Sequence, residues 1–219
     1  MLITLKMPKL KEEPAASEQA VSETPEAVKV GIMDKEKERE LVDAAKNGNL
    51  EAFEQILFAY EKPIYSYVYR LVRQKEDAQD LTQETFVKLY KHIDSVDSEK
   101  NFRAWVYKIA TNTVYDWLRK KQKRQELFII DDPDVQFETV DVETPYQDMQ
   151  RVERAKDVET ALQKVRPVYR AVLLLFYWQG FGYTEIANVL SLPLNTVKTY
   201  LYRAKHALKE ELSQSYSTN

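Results

Sequence analysis

Apolar residues recur every three or four positions along two long stretches of the chain, residues 34–124 and 153–212. This is the spacing of helices that bury one face, because 3.6 residues complete each turn. Alternation of apolar and polar residues, which indicates a half-buried strand, is scarce, and the chain has only 4 glycines. The pattern predicts an all-α protein with two small helical domains in these two stretches.

Three other segments lack this periodicity. Residues 1–33 contain three prolines among Glu, Ser, Ala and Thr, which predicts a disordered N-terminal extension or sequence upstream of a later start such as Met33. Residues 125–152 place acidic residues next to prolines and predict an acidic flexible linker between the two domains. Residues 213–219 are short and polar, and we expect a disordered tail there.

Proline and glycine mark the expected helix boundaries. Pro63, Pro167 and Pro193 each stand where a new helix is predicted to begin, because proline is tolerated at the first helical position. Gly180 and Gly182 are predicted to end the helix that contains the apolar block before them.

The formal net charge of −3 conceals an alternation of sign along the chain. Counted over Lys, Arg, Asp and Glu, residues 100–124 carry +7, residues 125–160 carry −8 and residues 161–212 carry +4. Affinity for a polyanion depends on local charge, because each neutralised phosphate releases counterions. A charge run is more often a solvated helix face, so charge alone leaves both interpretations open.

The end of the second domain has the pattern of a helix-turn-helix. A short helix around Ile186 is followed by a tight turn at Ser191 and Leu192 and by a long helix that ends near residue 212. A plain helical bundle with a polar outer face fits the same spacing. If the unit binds DNA, base edges and phosphates would meet the polar face of the long helix, formed by Asn195, Thr196, Lys198, Thr199, Tyr202 and Arg203.

The basic segment 101–124 also contains five aromatic residues. Aromatic rings stack on unpaired bases while cations follow the backbone, which is the combination found in single-strand binding proteins. Trp105 and Trp117 follow the helical stripe, so we expect them in the core. The loop 96–101 before this helix is the better candidate for contact with a flipped base.

A third feature is a polar helix face composed of Asp77, Asp80, Gln83 and Glu84. Acidic residues without a nearby cation can simply be solvated, or they can face a basic or polar partner helix. The pattern alone does not decide between these two interpretations.

Three motifs together resemble one known family. They are Asp77–Tyr90, Phe102–Asn112 with the basic residues that follow, and Tyr183–Ala187 with Thr196–Lys205. In this order and spacing the chain resembles a bacterial RNA polymerase sigma factor of the extracytoplasmic-function (ECF) group, with a region 2 bundle and a region 4 helix-turn-helix. The resemblance implies a non-catalytic initiation subunit that directs promoter-specific transcription.

The resemblance also implies site residues. The −35 element would be read by the polar face of the helix-turn-helix. The clamp helices of the largest polymerase subunit would bind Asp77, Asp80, Leu81, Gln83, Glu84 and Phe86. Recognition and melting of the −10 element would fall to Ser98, Lys100, Asn101, Arg103, Lys108 and Asn112.

Partners and location follow from the same resemblance. They are core RNA polymerase, promoter DNA in double- and single-stranded form, and an anti-sigma factor, which in this family is often membrane-tethered. The longest apolar run, residues 171–178, is far shorter than the roughly 20 residues of a membrane helix, and the first residues lack the features of a secretory signal. We therefore expect a cytoplasmic protein.

Other functional classes have less support. The chain has no cysteine, which excludes disulfides, thiol catalysis and cysteine-bound metals. His92 and His206 are its only histidines and lie far apart in sequence, and no phosphate-binding glycine loop is present. We expect no catalytic residue, metal, cofactor or small-molecule substrate. A stand-alone helix-turn-helix regulator remains the alternative, and a dimer footprint with half-sites about one helical turn apart would favour it.

Overall fold

The computed structural model of the protein describes residues 33–97, 101–127 and 149–217, and no strand occurs in these ranges. The predicted extension, apart from Met33, and most of the predicted linker lie outside them. The helices are α1 (Lys35–Lys46), α2 (Leu50–Val72), α3 (Lys75–His92), α4 (Phe102–Leu127), α5 (Met149–Lys164), α6 (Pro167–Leu173), α7 (Tyr183–Leu190) and α8 (Leu194–Ser217). The predicted all-α class is confirmed.

Helices α1 to α4 form an N-terminal bundle, and its core lies between α2, α3 and α4. Aromatic residues of α2 hold α4 in place: Tyr60 meets the Phe102 ring edge to face at 5.7 Å, and Tyr67 meets Tyr107 at 5.2 Å. The Tyr67 hydroxyl also lies 2.8 Å from the Thr111 hydroxyl, inside the core. These contacts fix the start of α4, where the −10 residues are predicted.

The prediction that Pro63 begins a new helix is wrong. Helix α2 runs without interruption from Leu50 to Val72, with Pro63 in its interior. Proline removes one helical hydrogen bond, which costs stability. The apolar stripe continues through it with Tyr60, Ile64 and Tyr67, all fully buried, so packing keeps the helix intact.

Helices α5 to α8 form a C-terminal bundle in which α8 packs on both α5 and α6. As expected, Pro167 begins α6, whereas Pro193 lies just outside α8 and accepts a hydrogen bond from the Val197 amide. Helix α6 passes into a π-helical turn at Leu174–Trp178. Helix α8 extends to Ser217, beyond the predicted end near residue 212, because its last turns contain no helix-breaking residue.

The two bundles pack against each other. Helix α4 packs on α7 and α2 on α6, and buried apolar residues of both bundles form one connected cluster. Within the described residues, no helix is long and apolar enough to cross a membrane.

The packing of α3 generates a stability prediction. Leu89 is fully buried in the core, whereas Val87 on the same helix is half exposed. Leu89→Ala should lower the free energy of unfolding by about 2–5 kcal/mol because it leaves a cavity, and Val87→Ala should change it by about 0.5 kcal/mol or less. Urea denaturation of both variants measures the difference. Equal effects would show that α3 does not pack as described.

Buried tyrosines generate a second prediction. Burial raises the pKa of Tyr60, Tyr67, Tyr107 and Tyr115 above the usual value of 10. These groups ionise first in the unfolded chain, so stability is complete below pH 10 and is lost as the pH rises above it, by up to about 1.4 kcal/mol per pH unit for each group. Burial also lowers the pKa of Arg170 to about 10 and that of Arg70 below its usual value, and these two arginines oppose part of the loss.

Urea denaturation between pH 8 and pH 11 tests this effect. Tyr67→Phe should flatten the alkaline decline relative to the wild-type protein. Tyr202→Phe is the control, because Tyr202 is 65% exposed. A stability that stays constant up to pH 11 would contradict the burial of these hydroxyl groups.

Candidate nucleic-acid and polymerase interfaces

Helices α7 and α8 form the predicted helix-turn-helix. Helix α7 ends at Ser191, whose positive φ of 53° gives the left-handed conformation of a tight turn. The Leu192 amide then donates to the Ala187 carbonyl at 3.0 Å and closes this turn. Ile186, Val197 and Leu201 are buried and hold the two helices together. The predicted contact residues are therefore carried by a rigid support.

The outer face of α8 is open to solvent. The Tyr202 ring lies against His206 with 4.6 Å between ring centroids and an angle of 57° between the ring planes, and it remains largely exposed. The Thr199 hydroxyl donates to the Asn195 carbonyl at 2.9 Å, so the helix itself uses this donor. Of the six predicted residues, Thr196 is half-buried and the others are exposed: Asn195, Lys198, Thr199, Tyr202 and Arg203.

Asn101 begins α4 and has two roles. Its Oδ1 accepts a hydrogen bond from the Ala104 amide at 2.9 Å, which caps the helix. Its Nδ2 donates to Glu185 Oε1 of α7 at 2.5 Å. Ser98 and Lys100, also predicted to contact the −10 element, lie outside the described residues.

Arg103 faces the other bundle. Its guanidinium donates to the Gln179 carbonyl at 2.5 Å and lies over the Phe181 ring, 4.5 Å from the ring centroid. Lys108 is half-buried and Asn112 is exposed. Two of the predicted −10 residues, Asn101 and Arg103, are therefore in contact with the C-terminal bundle.

The two tryptophans of α4 pack against the core, as expected, but each is only partly buried. Trp105 lies against Phe102 with 5.8 Å between ring centroids. Trp117 is covered by the Lys121 ammonium group at 4.6 Å from its centroid, and Lys121 donates to Gln74 at 3.0 Å. Lys121, like Arg103, is therefore held by both an aromatic ring and a hydrogen bond.

The predicted polymerase-binding residues of α3 fall into an exposed group and a buried group. Asp80, Gln83 and Glu84 are exposed and Asp77 is half-buried, so these four form a surface. The expectation that no cation lies nearby is wrong, because Lys88 pairs with Glu84 at 2.7 Å, one helical turn away. Leu81 and Phe86 are only 3% and 7% exposed and point into the N-terminal core. They stabilise the helix that carries the surface, and a docking partner would not reach them in this conformation.

Sequence reasoning missed several residues. Val87 and Tyr90 are half exposed and follow Gln83 at helical spacing, so they extend the α3 surface with apolar area.

Gln179 and Glu185 contact α4, and Arg170 is buried between the bundles. The apolar block 171–176 held a signal for this contact: it is apolar all round, and such a helix must be covered on every side.

Small-molecule and metal sites have little support in the described part of the chain. No three His, Asp or Glu side chains there are grouped as metal ligands. A cleft of about 530 Å³ is lined by residues of α1 and α2 with Met33, among them Lys37, Glu54 and Phe58, and none of the predicted DNA-binding residues lines it.

Comparison with known proteins gives a consistent result. The family described as Sigma-70 region 2 matches residues 57–124, and Sigma-70, region 4 matches residues 155–208. The ECF RNA polymerase sigma factor SigW of Bacillus subtilis is 31% identical over 180 residues, 78% of this chain and 94% of SigW. The RNA polymerase sigma-H factor of Pseudomonas aeruginosa is 28% identical over 186 residues, 83% of this chain and 96% of that protein.

Solved structures resemble this chain over most of its length. CnrH in complex with the cytosolic domain of CnrY matches 81% of this chain and 98% of CnrH, with a TM-score of 0.61 and 25% identity. The sigma factor RpoE of Bartonella quintana, in complex with the anti-sigma factor NepR, matches 74% of this chain and 96% of its own, with a TM-score of 0.57 and 25% identity. With two sigma-factor regions in order and relatives matched over nearly their whole length, this chain belongs to the ECF family of RNA polymerase sigma factors.

Proposed function

We propose that this sigma factor reads the −35 element with the outer face of α8 and captures the −10 element at the start of α4. The observation that carries the proposal is the exposed polar face of α8, held by a buried helix-turn-helix core. Arginine, lysine and asparagine on this face are the side chains that pair with base edges and phosphates in a major groove. The exposed lysines and arginines near the end of α4 supply phosphate contacts beside the strand that is opened.

The polymerase contact is assigned to α3. Asp80, Gln83 and Glu84 supply exposed acceptors, and Val87 and Tyr90 add apolar area beside them. A mixed surface of this type fits a polar helix pair better than a nucleic acid, whose phosphates the carboxylates would repel. We therefore assign this face to the clamp helices of the largest polymerase subunit.

The proposal also covers the non-catalytic role of the protein, its location and a further protein partner. The chain acts as a non-catalytic subunit in the cytoplasm, where core polymerase and the chromosome are found. CnrH was solved in complex with the cytosolic domain of CnrY, and RpoE of Bartonella quintana in complex with the anti-sigma factor NepR. We propose an anti-sigma factor as a partner of this chain also, one that is membrane-tethered in the manner common for the ECF family.

Run-off transcription with bacterial core polymerase tests the DNA assignments. On a pool of promoter fragments, transcripts should start at defined sites only when this protein is added. Lys198→Ala and Arg203→Ala should each weaken −35-dependent initiation about 5- to 100-fold, because each removes a contact of about 1–3 kcal/mol. Lys209→Ala, an exposed lysine later on α8, is the control and should have little effect.

Two outcomes of the transcription assay would distinguish the competing functions. Absence of stimulation, together with absence of co-purification with core polymerase, would reject the assignments and favour a stand-alone regulator. Stimulation that is unaffected by both α8 variants would retain the polymerase function and reject α8 as the −35 reader.

Binding to core polymerase tests the α3 surface separately. Asp80→Arg combined with Gln83→Ala should lower the fraction of protein retained by immobilised core polymerase at least about tenfold, because two like charges placed against each other at an interface cost several kcal/mol. Glu61→Arg, which makes a similar change at an exposed position of α2, should bind as the wild-type protein does. Equal retention of all three proteins would place the polymerase contact elsewhere.

A further inference from the structure

Lys88 joins the outer face of α3 to the interior of the N-terminal bundle. Its ammonium group lies 2.7 Å from Glu84 Oε1, one helical turn earlier, and donates to the Thr113 hydroxyl of α4 at 3.0 Å. Thr113 is only 1% exposed, whereas the Glu84 side chain is 52% exposed. One lysine therefore contacts both a surface carboxylate and a buried side chain of the neighbouring helix.

The hydrogen bond to Thr113 makes this ion pair different from an ordinary surface pair. Exposed pairs four residues apart on a helix are weak, because two long side chains must lose their freedom to form them. Lys88 is only partly exposed, and its ammonium group is held from a second helix that packs on α3. Its side chain is therefore ordered when the bundle folds, before any partner arrives.

Glu84 keeps acceptor capacity for a partner. An ionised carboxylate has two oxygens and about four lone-pair sites, and Lys88 contacts one oxygen, Oε1. Half of the side chain is open to solvent, so a donor can approach it. A carboxylate that is already oriented can accept a charge-assisted hydrogen bond without a further loss of side-chain freedom.

The other exposed polar residues of this face lack such a support. In the part of the chain that the structure describes, neither Asp80 nor Gln83 is held by an ion pair or a side-chain hydrogen bond. Glu84 is thus the acceptor of the exposed group whose orientation is fixed, and Lys88 with Thr113 fixes it.

We propose that Lys88 is a positioning residue of the polymerase interface: anchored on Thr113, it orders the Glu84 carboxylate before core polymerase binds. The inference rests on the proposed role of α3 as the polymerase-binding surface. Lys88 acts through Glu84, so its contribution requires the carboxylate to be present. Part of the ordering that binding demands is then complete in the free protein.

A double-mutant cycle, measured as affinity for immobilised core polymerase, tests this role. Lys88→Met keeps the apolar stem of the side chain and removes its charge and donors. It should weaken binding about 2- to 12-fold, the range for one long side chain that is ordered on binding instead of on folding. In a Glu84→Ala background the same change should have little further effect, because the lysine acts through the glutamate.

Thr113→Val tests the anchor, since it removes the hydroxyl at nearly constant size and leaves the Lys88–Glu84 pair. It should weaken binding in the same direction as Lys88→Met, by at least about twofold. Lys62→Met is the control, because it removes the same charge at an exposed position of α2, and it should bind as the wild-type protein does. Urea denaturation of each variant verifies that folded proteins are compared. If Thr113→Val does not fold, the cycle of Lys88 and Glu84 decides alone.

Three results would overturn the proposal. An equal effect of Lys88→Met with and without Glu84 would show that the lysine stabilises the fold or touches polymerase itself. Unchanged or tighter binding of Lys88→Met would show that the pair does not help, or that it competes with polymerase for the carboxylate. Unchanged binding of folded Thr113→Val would show that the pair needs no anchor.

Failure of the proposed polymerase surface has a different signature. If Glu84→Ala binds as the wild-type protein does, Glu84 is no polymerase contact and the role of Lys88 is rejected. The variant with Asp80→Arg and Gln83→Ala then decides independently whether α3 binds polymerase. Weaker binding of that variant would retain the surface, and wild-type binding would reject it.

Discussion

A buried cation, Arg170, joins the two bundles at the ends of two helices. Its guanidinium donates to the Leu71 carbonyl near the end of α2, and to the Gln163 and Val165 carbonyls at the end of α5. The last carbonyls of a helix lack partners within the helix and form the negative end of its dipole. One arginine thus serves the ends of two helices from different bundles. Its burial lowers its pKa only to about 10, so it carries its charge at neutral pH.

Glu185 links the two DNA-binding regions in a comparable way. One carboxylate oxygen accepts from the Gly182 amide at 2.7 Å and caps α7, the first helix of the helix-turn-helix. The other accepts from Asn101 at the start of α4. Glycine at the N-cap has no side chain to satisfy the helix end, so this glutamate supplies the cap. The same side chain therefore stabilises the helix-turn-helix and contacts the start of α4.

Local features of the fold were accessible from the sequence, and contacts between the bundles were not. Helical stripes and the polar outer face of α8 follow from residue spacing alone, which is why the helix-turn-helix was predicted with its exposed residues. Pro63 was misjudged because a local rule for proline ignores the apolar stripe that continues on both sides. Leu81 and Phe86 came from a family motif, and a motif does not record which residues face inward. Arg170 and Gln179 act through partners more than 70 positions away in sequence, and no local pattern contains that information.

The π-helical turn at Leu174–Trp178 has an evolutionary consequence. Such a turn accommodates one residue more than an α-helical turn, so a single deletion there would convert it into a regular α-helical turn and remove the hydrogen bonds of the Gln179 and Phe181 amides to the Leu174 and Leu175 carbonyls. The path of Gln179 and Phe181 past α4 would then change, while the sequence of α7 and α8 would be unchanged. A lineage could in this way alter the contact between the two bundles without altering the outer face of α8. The contact with α4 and the outer face of α8 are encoded in separate stretches of the chain.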